Sequence, residues 1–354
     1  MKALKNGWYV AAWSNEITAA PRKRVILEQP IVFFRTADGS PVALSSTCPH
    51  RFAPLDFGKV VEDTIQCPYH GLRFDKTGAC VANPDGAGVV PKAARVRSYP
   101  LTERYGATWI WMGDAERADV SLIPNYPFME PAGNWRLVSG YLTVGANYRY
   151  MIDNLVDVAH VGILHGDLFN CPAMSKAETV VEREGAAIWA KREALDTPPP
   201  GLFDIMWRQS RGDYEGTMHT WADSRWDAPS LISQNTGAAL TGMPRDTGLE
   251  TKNCHWVTPQ TGTSSHYFWV IARNFLLDND ALDNEIRVQS ERLFVEQDQW
   301  LLEALQATVG DREFWSMKPM LLQGDAGTVS VRRAYDRLLA DEEAAAKAPS
   351  ATNA

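Results

Sequence analysis

Two short segments carry reactive residue types at matched positions. They are Cys48-Pro49-His50 and Cys67-Pro68-Tyr69-His70, separated by the sixteen residues 51–66. Each offers one thiolate and one imidazole, so a pair of loops supplies four ligands to one site. Three chemistries use such a set: structural zinc bound by Cys₂His₂, a catalytic thiol beside an imidazole, and a [2Fe–2S] cluster with two Cys on one iron and two His on the other. Classical zinc fingers group Cys with Cys and His with His. The interleaving seen here suits a cluster whose two irons have different ligands. Gly58 and Gly71 are available for the tight backbone geometry this needs. The remaining cysteines, Cys80, Cys171 and Cys254, lie outside both loops and read as packed thiols.

A second constellation occupies thirteen residues: Asp153, Asn154, Asp157, His160 and His165. On one continuous helix, predicted from Tyr148 to about Val161, Asp153, Asp157 and His160 share a face. Among Met151, Ile152, Leu155, Val156 and Val158, such groups are costly to bury without a partner. The bland reading is a solvated face or a buried Asp–His pair. The sharper reading is a metal site, with Gly162 and Gly166 letting the helix bend or end so that both imidazoles converge. A third ligand is then expected. In the Pro- and Gly-free segment 281–308, Asp298 falls within a predicted apolar stripe of Phe294, Leu301, Leu302 and Leu305, while Glu296 and Glu303 fall on the opposite side. Two His and one carboxylate with open positions make the facial triad of non-haem Fe(II) oxygenases. A cap or salt bridge is the alternative for Asp298.

These residues need a scaffold, and composition bounds it. The chain has 354 residues, 45% hydrophobic and 22% charged, which suits about two soluble globular domains. With 35 basic and 43 acidic side chains the formal charge is −8, which argues against nucleic acid or an anionic membrane surface as the main partner. No apolar run spans a bilayer and the N-terminus reads as carrying no secretory signal. Five scattered Cys are not a disulfide scaffold and suit a cytoplasmic setting. The first third reads as β, with runs at residues 31–35, 42–45 and 108–112 separated by turn clusters. A Pro-containing, loop-like stretch covers 113–132. Residues 176–275 read as strands and turns, and helices are expected at 281–308 and 327–345. The expected class is α+β, with an all-β domain at 1–115, a catalytic domain at 116–345 whose antiparallel sheet is flanked by helices, and a disordered tail at 346–354.

The motifs carry a resemblance. C-x-H, sixteen residues and C-x-x-H, flanked as CPHRFAPLDFG and CPYHGLRFD, is similar to the ligand motif of Rieske [2Fe–2S] domains. Asp153-x3-Asp157-x2-His160-x4-His165, with Asp298 in a late helix, resembles the mononuclear-iron motif of Rieske non-haem iron oxygenases. NGWYVAAW, WIWMGD and HYFWVIARNF look like the monooxygenase branch containing vanillate and dicamba O-demethylases and toluenesulfonate methyl-monooxygenase.

The resemblance implies an oxygenase component using O₂ and electrons from NAD(P)H. No GxGxxG follows a strand, so a separate reductase, possibly with a ferredoxin, is expected to deliver them. It implies a [2Fe–2S] cluster on Cys48, His50, Cys67 and His70, and Fe(II) on His160, His165 and Asp298. It also implies a homotrimer in which one chain's His70 meets the next chain's Asp157 and, through it, His160. Asn154 is expected to line the iron site. His255, in CHWVTP, is expected near a substrate carboxylate or other polar group, with a backbone-satisfied edge His as the alternative. Trp256, Phe268 and Trp269 are candidates to pack on an aromatic ring, and His219 and His266 read as structural. The favoured reaction is oxidative O-demethylation of an aryl acid. Ring dihydroxylation, aryl-ether cleavage and a pure Rieske electron carrier are the alternatives.

Overall fold

A computed structural model describes residues 1–131, 134–166 and 171–347. The chain divides into two compact units: residues 1–123 together with 258–261, and residues 124–257 together with 262–354.

The first unit is built from ten short strands. They are β1 (Trp8–Trp13), β2 (Arg22–Ile26), β3 (Gln29–Arg35), β4 (Pro41–Ser45), β5 (Lys59–Val61), β6 (Thr64–Gln66), β7 (Arg73–Phe74), β8 (Cys80–Ala82), β9 (Leu101–Arg104) and β10 (Ala107–Trp111). They form three small antiparallel sheets, ordered β1-β10-β9, β2-β3-β4 and β5-β6-β7-β8. Ile31, Val32, Phe33 and Phe34 are all buried, so β3 is covered on both faces and reads as a continuous apolar run rather than an alternating one. Val32, Phe34, Leu44, Ile65 and Phe74 share a core cluster with Cys48, Cys67 and Cys80. Both loop cysteines are therefore rooted in packed hydrophobic structure.

The second unit holds a seven-stranded antiparallel sheet of β11 (Arg136–Val144), β12 (Val180–Glu184), β13 (Ala187–Thr197), β14 (Met218–Asp227), β15 (Leu231–Leu240), β16 (Leu249–Thr261, of which 258–261 group with the first unit) and β17 (Ser264–Arg273). The order β11-β17-β16-β15-β14-β13-β12 is a meander whose first strand closes the far edge. The accompanying helices are α1 (Tyr148–Val156), α2 (Val161–Leu164), α3 (Pro172–Lys176), α4 (Gly201–Arg211), α5 (Asp280–Leu293), α6 (Trp300–Val309) and α7 (Ala326–Lys347). The expected α+β architecture is borne out. Among the described residues, no helix is long and apolar enough to cross a membrane. Of the expected tail, residues 348–354 lie outside the described residues, and 346–347 end α7.

Three local expectations are corrected. The helix predicted from Tyr148 to Val161 stops at Val156. Asp157 leaves the helical region at φ −80°, ψ 111°, and its Oδ1 accepts the Ala159 N–H at 2.7 Å, a local turn that competes with helix propagation. Asp153, Asp157 and His160 therefore do not share a helix face. Asp153 instead accepts hydrogen bonds from Arg332 of α7, whose Nε lies 2.8 Å from both its oxygens. Next, the long helix expected over 281–308 is interrupted by a π-helical turn at Phe294–Gln299. The extra residue per turn shifts its buried stripe to Phe294, Asp298, Leu302 and Gln306, leaving Leu301 exposed. Glu303 is not on a free face: it accepts the Gly145 N–H at 2.9 Å. Finally, α4 lies where strands and turns alone were expected, after a run of three prolines that obscured its periodic pattern.

Candidate metal sites and the adjoining pocket

The two loops of the first unit are near copies of each other in backbone. Phe52 N–H donates to Cys48 O at 2.9 Å, and Gly71 N–H donates to Cys67 O at 3.1 Å. Cys48 N–H reaches Ala53 O at 3.0 Å, and Cys67 N–H reaches Leu72 O at 2.8 Å. The residue four after each cysteine is left-handed, Phe52 at φ 59° and Gly71 at φ 75°. A left-handed Phe costs about 1 kcal/mol more than Gly would. Gly58 is required for space, since a Cβ there would meet Gln66 O at 2.0 Å. This repeated geometry turns both thiols inward and brings the His50 and His70 rings to 4.5 Å between centroids, edge to face. Burial, opposed by backbone hydrogen bonds and reinforced by the neighbouring Cys67, pushes the Cys48 thiol up to about 11. Two converging buried thiols, flanked by two imidazoles, fit a metal cluster that takes them as thiolates.

In the second unit, His160 and His165 bracket α2 as its N-terminal and C-terminal flanking residues. The chain breaks before α2, not at Gly162, and Gly166 follows it at φ 70°. The two rings thus stand 5.3 Å apart instead of diverging around one helix. Asp298, which is 5% exposed, projects from the π-helical turn between them. His160 Nε2 lies 3.5 Å from its Oδ1 and His165 Nε2 lies 3.5 Å from its Oδ2. One ligand atom from each of the three residues falls within 4.8 Å of the others, a donor set that fits a divalent metal with open positions.

The outward nitrogens have their own partners. His165 Nδ1 meets Gln297 Oε1 at 2.6 Å, and His160 Nδ1 faces Asp157 Oδ2 at 3.7 Å. Both Nε2 atoms are thereby turned toward Asp298, the outer-shell orientation typical of metal-bound histidines. Burial lowers the His160 pKa, but the facing Asp157 and Asp298 carboxylates override it and push it up to about 9. Burial likewise raises Asp157, and the contacts with His160 and the Ala159 N–H bring it below the usual carboxylate range. Asn154 donates from Nδ2 to Asp298 Oδ1 at 2.9 Å, beside His160 Nε2 at 3.4 Å.

This cluster opens onto a cavity of about 760 Å³. Its floor is one face of the sheet. Thr220 and Ala222 of β14, Gln234 and Thr236 of β15, Thr251, Asn253 and His255 of β16, and Tyr267, Trp269, Ile271 and Arg273 of β17 all line it, at the two-residue spacing of a pleated strand. Leu202, Phe203 and Met206 of α4 and Ile286, Leu293 and Phe294 add apolar walls. His255 does line the cavity, but it is neither an edge residue nor satisfied by backbone. Gln234 Nε2 donates to Leu155 O at 2.7 Å, which turns its Oε1 toward His255 Nε2 at 3.1 Å. The ring therefore carries its proton on Nε2 and accepts the Tyr267 hydroxyl at Nδ1, 2.7 Å away. Burial pushes the His255 pKa down to about 4, so the ring is neutral.

Trp269 lines the cavity; Trp256 and Phe268 do not, and are buried core. His219 and His266 bond Glu193 and Tyr141, away from the cavity. Gln297, Gln234, Tyr267 and Asn253 went unrecognised in the sequence. Gln297 was hidden by the π-helical turn, and the others carried a two-residue alternation that marks a face but not its use.

Residues 144–341 match the family model of the vanillate O-demethylase oxygenase C-terminal domain, and residues 7–100 match the Rieske [2Fe-2S] domain. The chain is 39% identical to the oxygenase component of chloroacetanilide N-alkylformylase from Rhizorhabdus wittichii, over 94% of each chain. It is 35% identical to the oxygenase component of dicamba O-demethylase from Stenotrophomonas maltophilia, over 96% of this chain and 98% of that one. Its fold matches the crystal structure of dicamba monooxygenase bound to 3,6-dichlorosalicylic acid with a TM-score of 0.88 and 34% identity, covering 97% and 99% of the two chains.

Proposed function

The chain belongs to the vanillate O-demethylase branch of the Rieske oxygenases, as the oxygenase component of a multicomponent system, and we propose that it oxidises an aromatic substrate, with oxidative O-demethylation the favoured outcome. The observation that carries this is the convergence of His160, His165 and Asp298 at the head of a cavity large enough for a substituted aromatic ring. We assign the cluster to Cys48, His50, Cys67 and His70 in a domain at 1–115, and Fe(II) to His160, His165 and Asp298 in a domain at 116–345. When bound, the two groups supply electron storage and O₂-dependent oxidation of a substrate C–H bond. Hydroxylation of a methyl ether gives a phenol and formaldehyde.

The chain's own residues orient, hold protons and exclude water. Gln297 holds His165 with Nε2 inward. Asn154 holds the Asp298 carboxylate from the cavity side. Trp269, Ile271 and Phe294 keep the space beside the triad dry, which favours oxidation over side reactions. His255, with Gln234 and Tyr267, fixes the polar wall against which the substrate's substituent rests. Asp157 faces His160 Nδ1, and its side chain is 27% exposed and so accessible to a neighbouring subunit. In a homotrimer, His70 of one chain reaches Asp157 of the next, giving the electron route His70–Asp157–His160; such a head-to-tail ring is a closed heterologous assembly. None of the five buried cysteines forms a disulfide, which suits a reducing, cytoplasmic setting.

The test combines metal analysis with single turnover. The loaded chain should hold two cluster irons and one more, and an aryl methyl ether should release formaldehyde as O₂ is consumed. Asp157→Asn should keep all three irons and the trimer yet lose nearly all oxidation of the prereduced cluster. Near-normal transfer in that variant, or activity in a sedimenting monomer, rules out the route between chains.

A further inference from the structure

We propose that Arg192 is the counter-ion for an anionic substituent on the substrate, so that the cavity beside the triad takes an aromatic carboxylate or sulfonate. This rests on the reading of that cavity as the substrate site. Four arginines are buried among the described residues: Arg24, Arg192, Arg273 and Arg332. A guanidinium stays charged wherever it is placed, so each needs a negative partner to be held out of water. Three have one. Arg24 Nη2 meets Glu16 at 2.9 Å, Arg273 Nη1 meets Asp283, and Arg332 Nε lies 2.8 Å from both oxygens of Asp153. Arg192 is the exception. It is 5% exposed, and among the described residues no carboxylate stands at ion-pair distance from it. Its Nε donates to a neutral acceptor, Thr179 Oγ1, at 2.8 Å, and its Nη1 is buried with no hydrogen-bond partner. An unpaired charge and an unmade hydrogen bond on one side chain are costly unless a ligand completes them.

Position links this charge to the reaction. On β13, Arg192 stands opposite Ala222 of β14, which pairs with Thr236 of β15, which pairs with Thr251 of β16, and all four line the cavity floor. The short Ala222 side chain leaves room beside the guanidinium. Gly324 leaves room on another side, since a Cβ there would stand 2.9 Å from Arg192 Nη2. The same point lies 3.7 Å from Ala159 Cβ, which places the charge near the residue preceding His160 and so at the triad end of the cavity. A planar fork of donors suits the oxygens of a carboxylate or sulfonate. The other wall groups do not compete for the anion. Arg273 lines the cavity but is committed to Asp283. His255 is neutral with both ring nitrogens engaged, so it shapes the polar wall without supplying charge. Glu285 on α5 lines the cavity too, but it is exposed and screened by water, whereas Arg192 acts from a buried position where attraction is stronger.

The test is calorimetric titration of the chain loaded with cluster and iron, without O₂ or reductant so that nothing turns over. At pH 7 the 2-, 3- and 4-methoxybenzoates and the matching methoxybenzenesulfonates are compared with the methoxybenzamides, which carry no charge. The best anion should bind at least about tenfold tighter than its amide. Arg192→Met should weaken that anion about 10–100-fold, the range for a hydrogen bond to a charged group, and leave the amide within about threefold. Arg192→Lys, which keeps the charge and loses the planar fork, should fall between. A purely structural role makes the opposite forecast for folding. Removing an unpaired buried charge should hold or raise the denaturant midpoint, whereas Arg332→Met, which strands Asp153, should lower it. Wild-type anion affinity in Arg192→Met, an equal loss of anion and amide, or a midpoint that falls as far as in Arg332→Met each overturns the inference. So does a wild-type protein that binds the amide as tightly as its anion, or binds no anion. Ala222→Phe fills the cavity floor; ligands that still bind to this variant as to wild type sit elsewhere, which overturns the reading of the cavity as the substrate site. An anion that needs Arg192 and drives O₂ uptake without formaldehyde overturns O-demethylation alone.

Discussion

The two metal sites are held by different means. The cluster loops fix their ligands with backbone: the same pair of main-chain hydrogen bonds and the same left-handed residue recur at Cys48–Ala53 and Cys67–Leu72. The iron triad has no such frame. Two of its ligands flank a four-residue helix and the third sits inside a π-helical turn, and side-chain amides from Asn154 and Gln297 hold two of them in place. A site framed by backbone depends on a few contiguous residues. A site framed by side chains depends on distant positions that must all be present.

That contrast can be broken or sharpened experimentally. The largest effect is expected at the cluster: Cys67→Ser or His70→Ala should abolish the visible absorption and the low-g EPR signal of the reduced cluster, and an unchanged spectrum in either removes the assignment. Next, Asp298→Ala, His160→Ala and His165→Ala should each abolish turnover while leaving that spectrum intact. Retained activity in Asp298→Ala with loss in Glu296→Ala or Glu303→Ala would name a different carboxylate. A graded loss is expected from Gln297→Leu, which should weaken iron binding about 10–100-fold, the usual range for partners of metal-bound histidines. Calorimetric iron titration of the cluster-loaded protein measures it, and wild-type affinity would mean that Gln297 does not orient His165. The smallest effects separate the two loops. Phe52→Gly should stabilise the first unit by about 0.5 kcal/mol by removing left-handed strain, partly offset by unfolded-state entropy. Gly71→Ala should cost roughly 1–3 kcal/mol, because its Cβ would lie 2.8 Å from Pro84 Cγ and a left-handed Ala is strained. Denaturant midpoints report both, and equal responses would show that the loops are not the same framework.

The same contrast explains what the sequence made legible. The cluster ligands were readable from Cys48, His50, Cys67 and His70 because a backbone frame is short and local. Asp298 was found because a carboxylate on an apolar stripe is anomalous wherever the helix places it. Its neighbours Leu301 and Glu303 were misplaced because nothing in FVEQDQ announces a π-helical turn; that turn is imposed by packing at both ends. Asp153 was grouped with Asp157 because a continuous helix was assumed. Its partner, Arg332, lies 179 residues away, beyond any periodicity argument. His255 was located as a cavity residue, but its saturation by Gln234 and Tyr267 depends on cross-strand register, which a single strand does not encode.

The surplus residue between α5 and α6 works as a phase correction. On one side, Asp283 ties α5 to Arg136 and Arg273. On the other, Glu303 and Gln306 tie α6 to the Gly145 and Asn147 N–H groups. The π-helical turn lets both anchorages close at once, and Asp298 emerges at the point of mismatch. Removing Val295 would let the turn anneal to regular α-helix, with better-aligned hydrogen bonds, and would carry the carboxylate about 100° around the axis, away from both imidazoles. At this one position, a more regular helix and a working catalyst are mutually exclusive.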